Sequence, residues 1–284
     1  MPNEPAVSFG FEAFWSTSYD AFPRFWDVWP RLIDSINSLI APEYPRTNGL
    51  QKVILNLGIL GATTLSEIAT LVGNGLGQGA MKITRSMLEL AINAEFLRTF
   101  PEHLDDFFDW GAVEGYRLMQ FARAESPHSM GEYPDEFQKG IEQDFQRVKH
   151  RFELPGTKSG KQPRIRTGWC SVALDARAAK TGFQDEYKLI YPIGNKLLHA
   201  TIGGMAMHAQ HPVARFCRIA VPPSLEYCKL ALLGAHTCGV KIITTVSKVM
   251  NQEPSPTLDV LTRDYRFAWE NNGLDLKELA TSER

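Results

Sequence analysis

Arg85-x3-Glu89-x3-Asn93 and Tyr187-x3-Tyr191-x3-Asn195-x3-His199 are the two runs in this sequence whose residue types can do chemistry. Steps of four place each set on one face of a helix. A guanidinium holds oxyanions, a carboxylate takes protons, phenols and amides position polar ligands, and an imidazole exchanges a proton near neutral pH. On that chemistry His199, Arg85, Glu89 and Tyr191 are the candidate catalytic residues, with Tyr187, Asn195 and Asn93 as candidate substrate-binding residues. The structural alternative makes Arg85 and Glu89 an ion pair locking two helices, and His199 a hydrogen-bonded helix residue. If each helix has one narrow polar stripe, the two are expected to pack stripe to stripe. If the pair is structural, removing Glu89 is expected to strand Arg85 at a cost of about 3 to 5 kcal/mol.

The helices that carry these stripes differ in character. Met81, Ile83, Met87, Leu88, Leu90, Ala91, Ile92, Ala94, Phe96 and Leu97 cover nearly the whole circumference around Arg85, Glu89 and Asn93, which predicts a central helix. The second stripe opens on Gln184-Asp185-Glu186, an acidic start suited to a helix N-terminus. Pro192 lies inside it, so a kink or a restart is expected there.

Three of these segments, Arg85-Ser-Met-Leu-Glu89-Leu-Ala-Ile-Asn93, Trp169 and Tyr191-x3-Asn195-x3-His199, together resemble an uncharacterised bacterial family, domain of unknown function 5677. The resemblance covers roughly residues 50 to 235. It implies an α-helical fold and carries no established activity. Family members often have a serine between the tyrosine and the histidine, where this chain has Asn195. A more remote resemblance is to the HEPN (higher eukaryotes and prokaryotes nucleotide-binding) superfamily, whose helical bundles include metal-independent ribonucleases of toxin and phage-defence systems. That resemblance implies an arginine shortly before a catalytic histidine. Here Ile193, Gly194, Asn195 and Lys196 precede His199, so only the sequence-distant Arg85 is available for that role.

Helical periodicity extends over most of the chain. Helices are expected at about 50 to 73, 80 to 99, 103 to 124, 134 to 152, 171 to 181, 184 to 207, 222 to 250 and 256 to 271. Phe11 to Leu39 is also helical in pattern, with Pro23 and Pro30 expected to break it. The fold class is therefore an all-α multi-helix bundle. It reads as one domain, with an aromatic N-terminal extension (1–45), a core (50–250), a basic loop (153–168) and a C-terminal helix and tail (251–284). Trp15, Phe25, Trp26 and Trp29 crowd the extension, which makes a homo-oligomer an expectation.

Composition excludes several functions. With 44% apolar residues the chain can fill a core, and 30 basic against 32 acidic residues leave no global field for nucleic acid or anionic membrane. Four cysteines without CxxC spacing read as reduced thiols of a cytoplasmic protein. The segment Val53 to Met81 is the longest weakly charged one, yet Glu67 within it would cost roughly 2.5 to 3.5 kcal/mol at mid-bilayer, so no membrane span is expected. Gly75, Gly77 and Gly79 make only a degenerate phosphate-loop pattern, preceded by helix and not strand, and read as an interhelical turn. His199, His208 and His211 lack a carboxylate or cysteine to complete a zinc site, and Glu89 and Glu95 lack the histidine of a di-iron motif. No metal and no cofactor are expected.

Between 147 and 166, Arg147, Lys149, Arg151, Lys158, Lys161, Arg164 and Arg166 face a single acid, Glu153. This run could grip RNA or a nucleotide, or dock on Glu102, Asp105, Asp106, Asp109 and Glu114. The favoured functional expectation is a cytoplasmic binding or regulatory protein with internal polar networks. The alternative is a metal-independent HEPN-like ribonuclease or nucleotide hydrolase.

Overall fold

The computed structural model describes residues 12–40, 47–125, 134–154, 164–199 and 225–252, together with 260 and 263. Among these the chain is all-α, as expected. The helices are α1 (Glu12–Ala21), α2 (Pro23–Ile40), α3 (Gly49–Gly73), α4 (Gly77–Thr99), α5 (Leu104–Glu125), α6 (Asp135–Val148), α7 (Leu174–Lys180), α8 (Gln184–Leu198) and α9 (Cys228–Val249). Apart from 260 and 263, which are helical, the expected helix at 256 to 271 lies outside the described residues, as does the end of the one at 184 to 207. Helical contacts gather the chain into two compact units, the second being Phe100–Ala173 and the first the residues on either side of it.

In the first unit α3, α4 and α9 pack against one another, and α8 lies along α4. A capping box starts α3: the Asn48 side chain accepts from the Gln51 N–H while the Gln51 side chain accepts from the Asn48 N–H. The glycine run after α3 is the expected interhelical turn. Gly75 sits at φ 68°, the left-handed conformation that a side chain disfavours. Gly77 lies so near the Glu226 carbonyl and Cys228 backbone that a Cβ would come within 1.9 Å of the Glu226 oxygen. Helices α3 and α9 are long and apolar enough to cross a bilayer. They pack on each other in the core, where Gly61 meets Ile242 and Gly239 meets Leu65.

Proline behaves differently from expectation in α2, at Pro30. Pro23 opens α2, where its missing N–H is of no consequence, but Pro30 sits inside α2 and Pro192 inside α8, and both helices run on through them. Tertiary packing outweighs the local cost in α2, because Phe25, Val28, Trp29, Leu32 and Ile36 form one buried stripe across the proline. The same packing places most of these aromatic rings inside the first unit. Phe25, Trp26 and Trp29 are at most 7% exposed, Trp15 packs on Gly73, and the Trp26 indole N–H donates to the Ser18 carbonyl and hydroxyl at 3.1 and 3.2 Å.

His236 of α9 belongs to this interface, its ring 5.8 Å from that of Phe25. Burial pushes its pKa down to about 3 from 6.5. The unfolded chain therefore takes up a proton where the folded one does not. Stability from this group is present in full above about pH 6.5 and is lost as the pH falls toward about 3, at up to ~1.4 kcal/mol per pH unit. His236→Leu is expected to narrow the gap between denaturant midpoints measured near neutrality and at about pH 4.5. A gap unchanged from wild type would remove His236 as a source of acid sensitivity.

Candidate functional site

Helices α4 and α8 cross at Gly194. A Cβ there would lie 2.6 Å from Arg85 Cβ and 3.1 Å from the Met81 carbonyl oxygen, so only glycine permits this approach. The pair is antiparallel, since Gly194 faces the Met81 carbonyl while Tyr191, earlier in α8, meets Arg85, later in α4. The two stripes therefore meet. Arg85 Nη2 donates to Tyr191 Oη at 2.9 Å and reaches Glu89 Oε1 at 3.0 Å. The guanidinium carbon also lies 4.4 Å from the Tyr191 ring centroid, and Tyr187 stacks on that ring at 4.7 Å. Burial raises the pKa of the Tyr187 phenol, and Tyr191, Asp175 and Glu89 raise it further against the opposing effect of Arg85.

The remaining candidates divide. Asn93 turns to α7, where its side-chain oxygen accepts from Arg177 Nη1. Asn195 is half-buried, and its carbonyl accepts the His199 N–H at 3.1 Å. His199 is exposed and caps the end of α8 in extended backbone. It follows Tyr191 by eight residues, about 12 Å along a helix. Glu89 is also less buried than its stripe implied, at 34% exposure against 15% for Arg85. Water can solvate the carboxylate, so the cost of removing it drops from the value for a fully buried pair to about 1 kcal/mol.

Sequence reasoning missed three residues of the first unit. Arg177 gave no signal on its short helix. Gly194 was visible as a glycine inside the second stripe. Glu95 was visible as a partner for Arg98 three residues on: Arg98 Nε and Nη2 donate to its two carboxylate oxygens at 2.8 and 2.6 Å, and Thr245 of α9 donates to it at 2.8 Å. Burial raises the Glu95 pKa, but the hydrogen bonds from Arg98 and Thr245 and the charges of Arg98 and Lys248 outweigh it and leave the carboxyl below its ordinary value.

In the second unit three arginines of the basic run are docked on the acidic stretch. Arg151 bridges Asp106, at 2.6 Å, and Asp109. Arg166 reaches Asp106 at 3.1 Å and the Trp169 carbonyl, with its guanidinium 4.6 Å from the Phe152 ring centroid. Arg147 reaches Asp109 at 3.3 Å. The ends of the expected loop are paired strands, Glu153 opposite Ile165 and Leu154 opposite Arg164; Lys158 and Lys161 lie outside the described residues. A concavity lined by Lys139, Glu142, Gln143, Gln146 and Arg147 lies on α6 and holds none of the stripe residues, which makes it a solvated helix face. Among the described residues no cluster of His, Cys, Asp and Glu is placed to hold a metal; His208 and His211 lie outside them.

Residues 52–213, more than half of the chain, match the family of unknown function DUF5677. The chain belongs to this family. The match includes α4, Trp169 and all of α8, so the Arg85–Tyr191 contact joins two segments that both lie within the family region. Trp169 is 8% exposed and sets its edge against Phe107 in the second unit. No curated protein and no solved structure matches the chain.

The geometry ranks three substitutions. Gly194→Ala forces a Cβ against backbone and Cβ atoms that cannot swing aside, and is expected to cost about 1 to 3 kcal/mol. Tyr191→Phe keeps the ring but removes the acceptor of a charged donor, for about 1 to 2 kcal/mol. Glu89→Ala should cost least, about 1 kcal/mol. Denaturant midpoints measure the order directly, and a Glu89→Ala loss above the other two would mean that Glu89 carries the contact alone.

Proposed function

We propose that this protein acts by binding, as a cytoplasmic helical protein whose polar stripes serve recognition and internal order, and not by catalysis. The observation that carries this reading is the division of the candidate pair. Arg85 is engaged by Glu89 and Tyr191 between α4 and α8, whereas His199 stands exposed in the extended residue that ends α8. A proton-transferring histidine and a charge-stabilising arginine must reach the same reacting group, each at hydrogen-bond distance. The basic run adds support, because Arg147, Arg151 and Arg166 are paired with Asp106 and Asp109 and have less charge to offer a phosphate backbone.

The ribonuclease alternative gives the test. Purified wild type and His199→Ala are incubated with labelled single-stranded RNA, and cleavage is followed alongside thermal melting. The expected result is no cleavage that differs between the two proteins. Cleavage by wild type that His199→Ala abolishes at an unchanged melting temperature would replace the binding reading with the hydrolase one.

A further inference from the structure

Two arginines of α4 hold carboxylates in different ways. Arg98 uses Nε and Nη2 together on Glu95, the two parallel bonds by which a guanidinium edge fits a carboxylate. Arg85 makes only half of that fork. Its Nη2 serves both Glu89 and Tyr191, while its Nε is buried and meets no acceptor among the described residues. A buried donor left without a partner costs about 1 to 3 kcal/mol, and such groups in folded proteins call for a cause. Glu89 does not supply the second oxygen, although it is only one turn away and, at 34% exposure, has room to move.

We infer that the Nε–Nη2 edge of Arg85 is a receptor for a small oxyanion, a carboxylate or phosphate group, for which Glu89 is the internal substitute. The inference rests on the binding reading and adds the chemistry of the ligand to it. An incoming oxyanion satisfies Nε as well as Nη2, which Glu89 alone leaves undone. Glu89 is the exchangeable partner because it is the more exposed of the pair, and a part-exposed carboxylate returns to water at little cost. Tyr191 keeps the guanidinium in place through its ring and can turn its hydroxyl hydrogen toward the anion. Lysine in place of Arg85 would offer a point charge without the planar fork.

Isothermal titration with inorganic phosphate and, separately, with acetate tests this on the full chain as wild type, Glu89→Gln and Arg85→Lys. Glu89→Gln removes the competing charge and is expected to bind one of the two anions about tenfold more tightly than wild type. Arg85→Lys should lose that binding. The anion that responds tells a phosphoryl ligand from a carboxylate one. Wild type is measured in any case, so a poorly folding variant does not decide the matter: binding to wild type that Arg85→Lys abolishes supports the receptor. If neither wild type nor a folded Glu89→Gln binds either anion, or if Arg85→Lys binds as well as wild type, the receptor is overturned. RNA cleavage dependent on His199 would instead remove the binding reading itself, so the two failures are told apart.

Discussion

Helix α4 is crossed at glycines from two sides, and its chemistry follows from that confinement. Gly194 of α8 brings backbone against Arg85 and Met81, and Gly234 of α9 admits Thr84 of α4 and Ile190 of α8, each within 3 Å of where a Cβ would stand. With α3 packed against α4 as well, the helix has little surface left to turn its charged side chains into water. A charge in such a position must find a partner inside the protein, because an unpaired one is too costly to hold there. Thr84 obeys the same constraint in neutral form, donating to the Ala80 carbonyl at 2.9 Å and lying 3.3 Å from that of Ala231.

The two ion pairs of α4 answer this constraint to different degrees. Glu95 and Arg98 form a complete fork near the end of the helix, joined to α9 through Thr245. Such a pair has the geometry of a lock. Arg85 and Glu89 form an incomplete one next to α8, with a tyrosine stack on one side and an unused donor on the other. In the second unit, Asp106 and Asp109 do for α5 what Glu95 does for α4, binding α6 and the strand pair through Arg147, Arg151 and Arg166. Arg166 shares that half-used fork, its Nη2 serving Asp106 and the Trp169 carbonyl while its Nε meets no acceptor among the described residues, but its carboxylate lies on α5 and not one turn away on the same helix.

Periodicity made part of this visible in the sequence. A four-residue step survives translation into a helix face, so Arg85, Glu89, Tyr187 and Tyr191 could be grouped before any coordinates, and apolar coverage marked α4 as central. What the step does not carry is the identity of the neighbour. Asn93 shares the stripe of Glu89 but is taken by Arg177, which lies on a seven-residue helix too short to show a pattern. Proline rules failed at Pro30 for the converse reason, since they describe the local chain whereas the stripe from Phe25 to Ile36 is held by its packing. The acidic and basic runs of the second unit were legible as charge, but which arginine meets which aspartate depends on the turn between helices.

His199 shows where sequence spacing and chemical reach part company. On a uniform helix the run Tyr187, Tyr191, Asn195, His199 is one stripe, and one stripe suggests one site. A stripe is nevertheless a line about 18 Å long over twelve residues, while a reacting group spans about 3 Å, so a common face places residues on one side of a helix without bringing them to one atom. Only a crossing helix selects a point on the line. Here α4 selects Tyr191 and Gly194, because that is where the absence of a side chain lets the backbones close. The crossing therefore holds Arg85 and Tyr191 together, while His199 stands exposed where α8 ends.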